Sequence, residues 1–116
     1  MNSEQFVSVI KKVVREAAIQ DILDNIEDPP GRRVSAQEKE ISEWFNELPD
    51  MHKEFVNQII STSVDHAIFG FLCVLDGVRA IDNENIKGQL ELTYKNEMHE
   101  RLNDPDKIAL HELYNN

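Results

Sequence analysis

The sequence predicts an α+β fold, mostly α, in which three main helices precede a C-terminal β-hairpin and a short final helix. Three features point there. Apolar residues recur every three or four positions through much of the first 75 residues, which is the helical period. After "DNENIKG" the pattern changes to the alternation of "LELTY", the period of a half-buried strand. The closing "NDPDKIALHELYNN" carries an Asp-Pro start signal for one more helix.

The first helix is read from Phe6, Val9, Ile10, Val13, Val14, Ala17, Ile22, Leu23 and Ile26, with Lys11, Lys12, Arg15 and Glu16 on the solvated side. Asp28 precedes Pro29, and a residue before proline is pushed out of the helical region. Pro29, Pro30 and Gly31 then form a linker within a single domain spanning 1–116. In the second helix, Ser35 and Glu38 have the spacing of a reciprocal capping box. Ile41, Trp44, Phe45 and Leu48 form its apolar stripe, and Pro49 ends it. Asp50 suits the N-cap of the third helix. Met51, Phe55, Val56, Ile59, Ile60 and Val64 make the expected buried face of that helix.

Two readings compete at Asp76-Gly77. Between "FLCVL" and "VRAI" the pair has the form of a two-residue hairpin turn. Alternatively the helix runs to about Leu75, and Gly77 ends it in the left-handed conformation. Ile68, Phe71, Leu72 and Leu75 continue the stripe from Val64, which favours the helix. Val78 would then supply the apolar contact that follows a glycine cap.

Beyond the change of period, "MHERL" returns antiparallel after a Lys95-Asn96-Glu97 loop. That register sets Tyr94 opposite Met98, Glu91 opposite Arg101 and Leu90 opposite Leu102, pairs favourable across a ladder. Leu92 against Glu100 is its misfit. In the last element Asp104 takes the N-cap and Pro105 the first helical position.

Charge limits the function. Asp and Glu number 22 against 12 Lys and Arg, a net charge of −10, which repels nucleic acid and anionic membranes and favours basic partners. The apolar run Ala67–Leu75 is nine residues, short of the roughly 20 that span a bilayer, so no membrane association is expected. Cys73 is the sole cysteine and forms no internal disulfide. With no secretory pattern in "MNSEQFVSVIKKVV", it points to the cytoplasm.

Chemistry-bearing residues are sparse. Thr62 and Ser63 lie within a helical turn of His66, but adjacent residues on a helix do not face each other, so Asp65 cannot orient His66. His52, His66, His99 and His111 include no pair at metal-ligand spacing. Asp65, His66 and Asp76 would form a site only if the fold gathers them. Cys73 in an apolar run lacks the electropositive setting of a reactive thiol. Arg79 either binds an anion or, the favoured reading, pairs with Asp76 or Asp82. Trp44 reads as core, with partner contact as its alternative, because tryptophan is enriched at interface hot spots. Glu38, Glu40, Glu43 and Glu47 recur along the second helix. Asp21, Asp24, Glu27 and Asp28 crowd the negative end of the first, where Arg32, Arg33 or a partner would compensate them.

From "FGFLCVLDGVRAI" through "KGQLELTY" to "LNDP" and "LHELYNN", the C-terminal half resembles a family of small uncharacterised bacterial proteins. The resemblance rests on apolar and turn residues over about 65–116. It implies a bacterial cytoplasmic origin and the order long helix, glycine, strand, helix, with no assigned activity and no site residue.

The expectation is a non-enzymatic acidic protein without cofactor, catalytic residue or metal. It would bind another protein, a basic one by charge, or a second copy of itself. The candidate contact or pocket residues are Glu40, Glu43, Trp44, Glu47, Asp65, His66 and Arg79. A sharper form is an immunity or inhibitor protein covering the basic site of a toxin or nuclease. The rival from another class is a small enzyme or metal-binding protein using Asp65, His66 and Arg79, with Thr62 and Asp76.

Overall fold

A computed structural model describes residues 1–86 and 88–116. The fold is α+β and mostly helical: α1 (Ser3–Val9), a π-helical segment (Ile10–Glu16), α2 (Ala17–Glu27), α3 (Ala36–Asn46), α4 (Asp50–Leu75), β1 (Thr93–Lys95), β2 (His99–Arg101) and α5 (Leu110–Tyr114). The chain divides into two compact units, one of Met1–Val14 and His66–Asn116, the other of Arg15–Asp65.

In the first unit, α1 opens with a full capping box. The Asn2 side chain accepts from the Gln5 N–H at 2.8 Å, and the Gln5 side chain accepts from the Asn2 N–H at 2.9 Å. Val7, Leu72, Leu110 and Tyr114 form the core, with Phe6, Ile68, Phe69, Leu75, Leu92 and Leu113 packed against it. Leu110 is fully buried, a burial that stabilises by about 1.5–3 kcal/mol. Lys11 ties α5 to this end of the chain. Its ammonium donates to the Asn116 carbonyl at 3.0 Å and lies 5.5 Å from the Tyr114 ring centroid.

Gly77 does stop α4. Its φ is +78°, a left-handed conformation open to glycine at no steric cost. The Gly77 N–H donates to the Val74 carbonyl (3.1 Å) and the Val78 N–H to the Cys73 carbonyl (3.0 Å), the two bonds of a Schellman cap. Val78, from which an apolar contact is expected, is left 64% exposed.

The hairpin exists, but its register is two residues away from the expected one. Thr93 pairs with Arg101, Tyr94 with Glu100 and Lys95 with His99, around an Asn96-Glu97-Met98 loop. One step further the Leu102 N–H donates to the Leu92 carbonyl at 2.7 Å. Leu92, misfitted against Glu100 in the expected register, thus meets buried Leu102. Two local bonds pin the turn: Asn96 N–H to Met98 O, and Met98 N–H to Asn96 Oδ1, both 2.9 Å. The Glu91–Arg101 charge pair survives diagonally at 3.5 Å.

The final helix starts later than Asp104 and Pro105 suggest. Asp104 instead closes a turn, accepting from Asp106 through its side chain and from Lys107 through its carbonyl. α5 begins at Leu110 after Ala109, which has no side-chain acceptor.

In the second unit α2 packs against α3. Phe45 is 2% exposed. Ser42 Oγ (3.2 Å) and Asn46 Nδ2 (3.0 Å) both donate to the Glu27 carbonyl, satisfying the last turn of α2 from outside. The crowded acidic end of α2 is met this way and by a Gln20–Asp24 hydrogen bond. Among the described residues Arg32 and Arg33 make no ion pair with it.

Ser35 caps α3 by accepting from the Glu38 N–H at 3.1 Å, but the reciprocal half of the box is missing. Asp50 is the first residue of α4 rather than its cap, because the Pro49 carbonyl accepts from His52 and Lys53.

The expected buried face of α4 is only partly covered. Val56, Ile60 and Val64 are half-buried, whereas Met51 is 68%, Phe55 51% and Ile59 66% exposed. No residue from Asp50 to Phe69 is fully buried. The nine-residue apolar run also understates this helix. Its 26 residues are long and apolar enough, by length and composition alone, to cross a membrane.

A candidate interaction face on helix α3

On α3, two sets of side chains separate by helical geometry. Ser42 and Asn46 face the end of α2, where their hydrogen bonds lie, and Phe45 is buried with the Lys53 ammonium 5.6 Å from its ring centroid. Glu40, Glu43, Trp44 and Glu47 recur at three- and four-residue spacing on the other side, and all four are exposed. Trp44 was expected in one stripe with Phe45. A helix turns about 100° per residue, and of the two neighbours it is Phe45 that turns inward, at 2% exposure. Trp44 is left 54% exposed beside three carboxylates. Glu43 and Glu47 also border a shallow depression of about 480 Å³ against Pro29 and Val34 of the linker.

Asp65 is engaged. Its carboxylate accepts from Arg15 Nε at 2.6 Å and from Arg15 Nη2 at 3.2 Å, a two-point fork. Arg15 belongs to the π-helical segment, where the wider turn shifts side chains off the continuous α-helical stripe predicted for this stretch. The two side chains are 32% and 37% exposed, so the pair contributes modestly to stability. His66 is exposed, Thr62 is exposed, and Ser63 Oγ donates back to the Ile59 carbonyl at 2.8 Å. None of Thr62, Asp65 or His66 lines the cleft that holds Arg79 and Asp76.

Asp76 has structural work that its neighbours in sequence do not reveal. Its carboxylate, 5% exposed, accepts from the Leu110 N–H (3.1 Å) and the His111 N–H (2.8 Å) and contacts His111 Nδ1 at 2.6 Å. It therefore supplies the cap that Ala109 lacks. His111 is further seated edge-on against Phe69, with ring centroids 5.7 Å apart. Arg79 does not pair with Asp76 or Asp82; it makes no ion pair among the described residues.

Asn103 was absent from the expected site and core residues. It is buried, donates to the carbonyls of Leu75 (2.7 Å) and Leu90 (2.8 Å), and accepts from the Leu92 N–H (2.9 Å). The end of α4 and the approach to β1 are joined through this one amide. An asparagine between Leu102 and Asp104 gives no sequence signal of such a role.

Cys73 is a buried free thiol. Among the described residues no three His, Cys, Asp or Glu side chains gather as metal ligands would. No family model, curated protein or solved structure matches the chain.

Proposed function

We propose that this protein acts by binding a basic protein through the outer face of α3, with Trp44 as anchor and Glu40, Glu43 and Glu47 around it. The half-exposed tryptophan carries the reading. A large aromatic left outside the core, bordered by carboxylates, suits a hot spot that receives Lys or Arg side chains by charge and by cation–π contact. The net charge of −10 would speed encounter with such a partner. An immunity or inhibitor protein covering the basic site of a toxin or nuclease is the sharper form of this proposal, acting in the cytoplasm and without catalysis.

Affinity capture tests it with wild-type protein, Trp44→Ala and the triple reversal Glu40→Lys, Glu43→Lys, Glu47→Lys. The proposal requires a basic captured protein whose retention falls with added salt and is lost in both variants. Capture indifferent to salt and to all four substitutions would reject it.

The exposed Met51, Phe55 and Ile59, spaced by four on α4, favour a second reading, a homodimer through that helix. Sedimentation at micromolar concentration should then show a dimer that Phe55→Glu dissociates. A monomer in sedimentation removes this reading, and co-flotation with neutral vesicles would assign the same stripe to a lipid surface.

A further inference from the structure

The last turn of α4, the loop 77–82 and the approach to β1 enclose a cleft of about 350 Å³, at the small end of the roughly 300–1,000 Å³ typical of ligand sites. All its walls belong to the unit of Met1–Val14 and His66–Asn116. Leu75, Ile81 and Leu90 give it apolar surface, and Arg79 and Arg101 give it positive charge.

The charges in this cleft are unevenly matched. In a chain with 22 carboxylates, Arg79 has none as an ion-pair partner among the described residues. Its guanidinium rests against α4 at Gly70, where a Cβ would stand 2.5 Å from Nη1. Only a residue without a side chain leaves it that position. The acidic groups at the cleft are committed elsewhere. Asp76 caps α5, and Asp82 accepts from the Glu84 N–H at 3.1 Å. Arg101 is held only at long range, by Glu91 at 3.5 Å and Asn103 at 3.4 Å. Arg79 and Arg101 thus line a concave surface, and among the described residues no carboxylate forms an ion pair with Arg79.

We propose that this cleft binds a small organic carboxylate. The Arg79 fork receives the carboxylate, Arg101 adds positive charge, and the apolar body of the ligand rests on Leu75, Ile81 and Leu90. A planar guanidinium matches a carboxylate through two parallel hydrogen bonds. The negative charge of Asp76 and Asp82 in the walls disfavours a dianion relative to a single carboxylate.

Titration of the intact chain with isovalerate, followed by two-dimensional amide NMR, tests this, with isovaleramide and inorganic phosphate as comparison probes. Isovalerate should give saturable shifts at the amides of Leu75, Arg79, Ile81 and Leu90. Arg79→Gln should weaken binding about tenfold or more, the scale of a charge-assisted pair. Gly70→Ala, which displaces the guanidinium without removing its charge, should weaken it as well. Equal binding of the neutral amide, tighter binding of phosphate, unchanged affinity in Arg79→Gln, or no saturable shift would each overturn the proposal. Neither variant touches α3, so the result is independent of the interaction proposed for that helix.

Discussion

Replacing Asp76 by alanine should destabilise the fold by about 3 kcal/mol. The carboxylate is 5% exposed and holds two backbone donors, at 3.1 and 2.8 Å, together with His111 Nδ1 at 2.6 Å. Losing an N-cap costs about 1 kcal/mol, and a hydrogen bond to a charged group is worth about 1.5–3 kcal/mol. The three contacts share one side chain and one short helix, so they do not add in full. About 3 kcal/mol is the resulting figure, equivalent to a fall in Tm of about 10–15 °C for a domain of this size. Urea unfolding followed by far-ultraviolet circular dichroism measures it. Asp76→Asn keeps an acceptor without the charge and should lose about half as much. If alanine at this position stayed within about 1 kcal/mol of wild type, the assignment of Asp76 as the cap of α5 would be wrong.

Other substitutions probe different parts of the fold. Leu72→Ala, at a side chain 2% exposed, should lose about 2–5 kcal/mol in the same unfolding assay. Gly77→Ala forces an L side chain to φ +78° and should lower stability by about 1 kcal/mol. A double-mutant cycle on Arg15 and Asp65 should return a coupling of about 0.5–1 kcal/mol, because both side chains are about one-third exposed. That coupling should shrink as salt is raised.

Local structure is legible in the sequence where a single residue decides the geometry. Gly77 ends α4 because only a residue without Cβ enters that conformation freely, and Ser35 caps α3 because its hydroxyl reaches the Glu38 N–H. Period alone located the hairpin but not its register. A shift of two residues keeps every side chain on the same face, so alternation cannot distinguish Leu90 from Leu92 as the partner of Leu102. The cap of α5 was hidden for another reason. Asp76 lies 34 residues before Leu110, and no local pattern encodes that meeting.

The α3 face was half legible. Glu40, Glu43 and Glu47 stand at helical spacing in the sequence, but Trp44 and Phe45 are adjacent aromatics, and composition does not say which one turns inward. The hydrogen bonds of Ser42 and Asn46 to Glu27 fix that rotation. The π-helical segment around Arg15 left no trace either, because its apolar spacing also fits an α-helix.

Trp44 is the only tryptophan, so one resonance reports on the proposed anchor. Fluorine NMR of protein labelled with 5-fluorotryptophan, recorded before and after addition of the captured basic partner, is the most direct measurement. A partner seated on α3 should shift and broaden that single line, and the triple reversal at Glu40, Glu43 and Glu47 should leave it unmoved. A complex that forms while the wild-type line keeps its position and width would place the interface elsewhere and contradict the account.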